Sequence, residues 1–206
     1  MVHTTSEVKQ GSTSRGQMRR LRIIEAAADL IYEKGPSSVT HRSVAARAKC
    51  SLSATTYYFS GLEDLLYQAG KINISRWATR AERVAETVES LSGSIDAEQR
   101  TNYVLAATLP EGNALAGHYA QLMDAGSSAP IARAYRTGRS RLNMAVERVL
   151  SHLGIQAPAE LIIAIVDGAA VSALSEGREV RENARELLVQ FFTLLGCESV
   201  PCQENK

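Results

Sequence analysis

The 206-residue chain carries 45% hydrophobic and 22% charged side chains and a net charge of +1, enough apolar material for a sizeable core and no overall charge that points to a partner. Cys50, Cys197 and Cys202 have no paired-motif spacing, which fits a reducing cytoplasm rather than a disulfide scaffold. The first twenty residues lack an apolar h-region, and no apolar run reaches about 18 residues, so neither a secretory signal nor a membrane span is expected.

Charge is unevenly spread. Residues 1–60 hold nine Lys/Arg against four acids, and the remainder holds 14 basic against 18 acidic residues. A basic amino-terminal part on a mildly acidic body suits a polyanionic partner for the first part only.

Residues 1–14 are polar and without periodicity, and read as a flexible arm. From Met18, Leu21, Ile24, Ala28 and Ile31 recur at helical spacing until Gly35-Pro36 ends the pattern. Thr40 offers an N-cap for a short helix over about 41–48, and a second short helix runs over about 52–59 before Ser60-Gly61 breaks it. Longer helices are expected over about 62–90, 96–109, 113–125, 130–153, 158–175 and 180–195, each closed by Gly, Pro or Ser signals. The segment LIIAIVDGAAVSAL in the eighth is apolar nearly all round, which predicts burial on every side. The expected class is all-α: a three-helix amino-terminal domain with a helix-turn-helix, followed by six helices. The boundaries are 1–14 for the arm, 15–61 for the domain (helix-turn-helix about 39–58) and 62–206 for the body.

Two helices of about eight residues joined by a three- or four-residue turn have the size of a helix-turn-helix. The stretch SLSATTYYF crowds hydroxyls and aromatic rings onto the second of them. Thr55 and Phe59, four apart, can face the core. Ser51, Ser53, Thr56, Tyr57 and Tyr58 are left to donate to phosphates and base edges. Arg15, Arg19 and Arg20 stand where they can follow an adjacent backbone.

Taken together, RIIEAAADLIYEKGPSSVTHRSVAARAKCSLSATTYYFSGLEDLL resembles the amino-terminal domain of the TetR (tetracycline-repressor-like) transcriptional regulators. Ile24, Ala27, Ala28, Ile31, Gly35, Thr40, Arg42, Val44, Ala45, Ala48, Ser51, Tyr57, Phe59 and Leu65 match its pattern in order and spacing, over about 45 residues. Four positions depart from it. Lys49 stands where the turn usually has Gly, Thr55 replaces Leu, Thr56 replaces Tyr, and Leu62 replaces a Lys that commonly contacts phosphate. The resemblance implies that Thr40 holds a phosphate, that Arg42 reaches a base edge or phosphate, and that Ser51, Ser53, Thr56 and Tyr57 line the groove. Lys49 is then expected at positive φ.

The resemblance further implies a homodimer, double-stranded operator DNA as partner, and a small-molecule effector held in the body. Candidate effector contacts are Trp77, Tyr103, His118, Tyr119, Met123, Met144 and Asp167, the last a carboxylate in an apolar helix that needs a ligand or an Arg of residues 130–153 as partner. Candidate dimer contacts are Leu161, Ile165, Ala169, Ser172, Leu188, Phe191 and Leu195 on the last two helices. No cofactor, metal site or catalytic motif is expected, since His3, His41, His118 and His152 are scattered and no phosphate loop or nucleophile elbow occurs. Two other readings stay open: a DNA-binding protein that needs no ligand, and a ligand-binding protein whose DNA head is weakened.

Overall fold

The computed structural model describes residues 6–110 and 115–196, and side chains from residue 14 onward except that of residue 116. The described residues are helical throughout, with no strand among them: α1 (Ser6–Lys34), a 3-10 turn (Pro36–Ser38), α2 (His41–Arg47), α3 (Leu52–Tyr58), α4 (Leu62–Glu89), α5 (Ala97–Thr108), α6 (Leu115–Ala125), α7 (Ala129–His152), α8 (Ala159–Glu176) and α9 (Val180–Leu194). The all-α expectation and its order of helices hold. One boundary differs by a wide margin: α1 starts at Ser6, so residues 6–14 are helix and not an unstructured arm. No Pro interrupts this stretch. Once residues further along are helical, each added turn gains hydrogen bonds without a new nucleus, and polar composition alone does not stop it.

Contacts divide the chain into two units, residues 1–73 with 121–136, and residues 74–120 with 137–206. The expected boundary at 61/62 leaves out the start of α4 and the segment 121–136, which pack with the amino-terminal helices. In the first unit, Ile23, Ala27, Ala28 and Ile31 of α1 meet Val44 of α2, Phe59 after α3, and Leu65 and Ala69 of α4. Leu21, expected on that stripe, is exposed; Ile23, Ala26 and Leu30 widen the buried face instead. Gly70 lets α4 approach α7 closely, because a Cβ there would stand 2.9 Å from that of Ala134. Asn73 donates to the Ala28 carbonyl at 3.1 Å and to Gln121 Oε1 at 2.9 Å, tying α4 to α1 and α6 through a buried amide pair.

The second unit packs α8 on α9 and sets both against α5. Asn183 Nδ2 of α9 donates to the Ala169 carbonyl of α8 at 2.7 Å. Arg141 of α7 pairs with Glu82 of α4 through two bonds of 2.7 and 2.6 Å and also donates to Ser75 and Thr79. Two turns on, Arg148 repeats the pairing with Glu89. These exposed bridges add little stability but peg the register of the two helices.

The turn from α2 to α3 is the tightest piece of the backbone. The amides of Lys49 and Cys50 donate to the carbonyls of Ala46 and Ala45 at 3.3 and 3.0 Å, a Schellman closure that needs a left-handed residue between them. Lys49 takes that conformation at φ 51, the positive angle expected from its place in the turn. A side chain there costs about 1–2 kcal/mol relative to right-handed backbone. Lys49→Gly should therefore raise the unfolding free energy by about 1 kcal/mol, after the greater chain entropy of unfolded glycine is deducted. Urea denaturation checks this; an unchanged midpoint would show that the strain is relieved elsewhere.

Candidate functional sites

Each short helix of the first unit carries its own cap. Thr40 Oγ1 accepts the Ser43 amide at 3.0 Å, and Ser43 Oγ accepts the Thr40 amide at 2.9 Å. Ser51 Oγ accepts the Ala54 amide at 3.3 Å and starts α3. Ala54 and Thr55 face inward. Thr55 is fully buried, and the physical reason that a hydroxyl is tolerated where leucine is usual is plain. It donates to the Leu52 carbonyl at 2.7 Å, which leaves its oxygen to accept from His41 Nδ1 at 3.1 Å. That bond fixes the proton on Nδ1 and joins α2 to α3.

The outward face of α3 holds Leu52, Ser53, Thr56 and Tyr57, with Tyr57 82% exposed. Thr40, Arg42, Ser51 and Arg19 are exposed as well. Ser51 and Ser53 share a hydrogen bond of 3.0 Å, and Thr56 Oγ1 donates to the Ser53 carbonyl at 3.1 Å. Tyr58 does not join this set. It packs, half-buried, on the amino-terminal core, its hydroxyl beside Gly16 of α1, and its ring stands edge-on to Tyr57 at 5.1 Å. Adjacent residues on a helix point about 100° apart, and here that step carries Tyr58 off the outward face and onto the core while Tyr57 stays in solvent. Arg20 lies over the Phe59 ring at 5.2 Å, and Arg47 is spent in a two-bonded pair with Glu33. Leu62 packs partly buried against the core, so the position where a lysine often reaches phosphate is apolar and inward.

Trp77, His118 and Tyr119 form a buried aromatic chain in the second unit, with ring centroids 4.6 and 5.0 Å apart. Tyr119 donates to Asp167 Oδ1 at 3.1 Å. The Asp167 carboxylate thus has a phenol of α6 as a partner that the sequence reading did not name. Burial pushes the Asp167 carboxyl up, against the Tyr119 hydrogen bond and the charges of Arg139 and Arg80, which pull it down. Burial, and then Asp167, push the Tyr119 phenol up. Burial and then the charge of Arg80 lower the His118 imidazole to about 3, so the ring is neutral, and its Nδ1 has no hydrogen-bond partner among the described residues. Tyr103 is half-buried. Met123 and Met144 are 70% and 57% exposed; their apolarity suggested an interior place that helix phase does not give them.

The expected dimer contacts split in two. Ala169 and Leu188 are 1% and 0% exposed, because they form the packing of α8 on α9 within one chain. Leu161, Ser172 and Leu195 are exposed, Ile165 and Phe191 half-buried. Within the single chain α8 is not buried on every side: Leu161, Ala164, Gly168, Val171 and Ser172 follow one another at helical spacing along an exposed stripe. Sequence reading missed the buried amides Asn73 and Gln121 and the buried Arg100 and Thr101. Polar residues inside amphipathic helices look like surface residues until packing is known.

Residues 23–69 match the family model described as bacterial regulatory proteins, tetR family. No curated protein matches the sequence. Among solved structures, a TetR-family regulator assignment from Mesorhizobium loti MAFF303099 is similar at a TM-score of 0.64 with 16% identity, covering 87% of this chain and 98% of that one. The multidrug binding protein EbrR complexed with ethidium is similar at 0.59 with 26% identity, covering 84% and 96%. A chain from Saccharomonospora viridis assigned to transcriptional regulators, in complex with choline, is similar at 0.63 with 19% identity, covering 91% and 100%.

The lowered His118 pKa has a pH signature. Below about pH 6.5 the unfolded chain binds a proton at this ring that the folded chain refuses until about 3, so stability falls as pH drops through that window. Asp167, raised in the fold, works the other way and favours folding as pH falls. His118→Gln should remove up to about one proton, about 1.4 kcal/mol per pH unit, from the slope of unfolding free energy below about pH 6.5. Urea titrations of both proteins across that range measure it.

Proposed function

We propose that this chain, whose residues 23–69 match the tetR-family model and whose helical fold is similar to that of a TetR-family structure, is a sequence-specific DNA-binding regulator, a homodimeric repressor that a small molecule releases from its operator. One observation carries the DNA reading. α3 is anchored by Ala54, Thr55 and Phe59, while Ser53, Thr56 and Tyr57 stand in solvent with no role in the core. In that reading Tyr57 and Thr40 hold phosphates, and the exposed Thr40 hydroxyl does so by turning its proton away from Ser43 Oγ, to which it donates at 3.1 Å. Arg42 reads a base edge or phosphate, and Ser51, Ser53 and Thr56 line the groove. Arg19 follows the flanking backbone. Tyr58 is withdrawn from the contact set.

The proposed dimer uses the exposed stripe of α8 with Phe191 and Leu195 of α9. Gly168 supports it. A glycine in mid-helix costs about 0.5–1 kcal/mol against alanine, and nothing lies within 4 Å of a Cβ built there, so the chain itself gives no reason for it. Close approach of a second copy of α8 does. For the effector, the support is the cluster of Trp77, His118, Tyr119 and Asp167, together with similar proteins that bind ethidium and choline. α6 carries His118 and Tyr119 in one unit and Gln121 and Asp124 in the other. Asp124 places a carboxylate oxygen 2.6 Å from where a side chain at Gly35 would begin, beside the end of α1. A ligand that prefers one setting of α6 shifts the population between states by its differential affinity for them.

Anisotropy titrations against fragments of the upstream DNA test this reading, at several salt concentrations. Arg42→Ala should cost about 1–3 kcal/mol in specific binding if the side chain reads a base. Tyr57→Phe should weaken specific and random DNA alike; a loss confined to one base position would refute its phosphate role. Gly168→Leu should leave the helical content unchanged, halve the mass seen by sedimentation, and abolish operator binding. A Gly168→Leu dimer of unchanged stability would remove α8 from the interface.

A further inference from the structure

Leu52 is an aliphatic side chain without a place in the core. It stands 50% exposed on α3, apart from the cluster that holds the amino-terminal unit together. Its backbone does serve the helix, since its carbonyl accepts the Thr55 hydroxyl at 2.7 Å, but any residue could supply that carbonyl. Thr56, four residues on, shares its face, and Ser53 adjoins it; both are exposed. The hydroxyls here are partly spent on one another. Ser51 and Ser53 share a hydrogen bond of 3.0 Å, and Thr56 gives its proton to the Ser53 carbonyl at 3.1 Å. Serine and threonine can also donate or accept, so they discriminate weakly among base edges. Leucine can do neither. The apolar group that the major groove presents is the C5-methyl of thymine. Against an amino group of adenine or cytosine, leucine would leave a desolvated donor unpaired.

We propose that Leu52 is a specificity-determining residue that packs on the C5-methyl of a thymine and selects a T·A pair at one position of each half-site. The inference rests on the reading of α3 as the helix that enters the major groove, and it assigns to an apolar side chain the sequence discrimination that the neighbouring hydroxyls supply only weakly.

The test uses a duplex that the full-length protein selects from a random-sequence pool. Each thymine of that duplex is replaced singly by deoxyuridine, which removes the methyl and keeps every hydrogen-bonding group of the base pair. Fluorescence anisotropy gives the affinity of each duplex. One replacement in each half-site should weaken binding about fourfold, the worth of one buried methyl. Leu52→Ala should bind the thymine and deoxyuridine duplexes alike, and Leu52→Met should restore the preference. Both variants should keep the helical signal, because the position is exposed. A series in which no replacement costs as much as about twofold overturns the proposal and leaves the DNA reading intact. So does a methyl preference that persists undiminished in Leu52→Ala, which would assign it to another side chain or to the stiffness of the duplex. A pool from which no sequence is enriched would overturn the DNA reading itself, and this proposal with it.

Discussion

The direction in which α3 leaves α2 depends on the Schellman closure over residues 45–50. Two amide–carbonyl bonds and one left-handed residue determine it, and every side chain offered outward by α3 inherits its position from that corner. The bond from His41 to Thr55 holds the same corner from the side, and the Thr40 and Ser51 caps define where each helix begins. A surface built this way is rigid because its backbone is closed locally, not because its outward side chains are packed. Fixing the geometry before a partner arrives lowers the ordering cost of binding.

The sequence made the helices legible because their stop signals are local. Gly35-Pro36, Gly154 and Gly196 end helices where they were expected to, all three with the glycine itself at positive φ. Lys49 was legible as a strained position for the same reason: a turn's demands on φ are local. Thr55 and Phe59 were legible as inward residues from spacing alone. What was not legible depended on partners. Tyr58 points inward because α1 lies beside it, and Ala169 and Leu188 are interior because α8 and α9 meet in one chain before any second copy arrives. Asp167 found a phenol from α6, a pairing across 48 residues that no periodicity encodes. Met123 and Met144 show the converse, apolar side chains left in water because the helix phase was already committed elsewhere.

Both units keep polar groups inside. Asn73 and Gln121 close on each other and on an α1 carbonyl in the first unit, while Tyr119 and Asp167 do so in the second. Such pairs stabilise little over apolar substitutes, but they penalise every arrangement that leaves one member alone. They narrow a helical bundle, in which apolar faces slide easily, to few settings.

The division of α3 into an anchoring face and an idle one has an evolutionary consequence. Thr56, Tyr57 and Ser53 contribute almost nothing to folding, so their replacement is filtered by what they touch outside and not by stability. Copies of such a chain can diverge on this face without first acquiring compensating changes in the core, whereas losing the Thr55 hydroxyl also removes the hydrogen bond to His41. The readout can drift while the scaffold stays put.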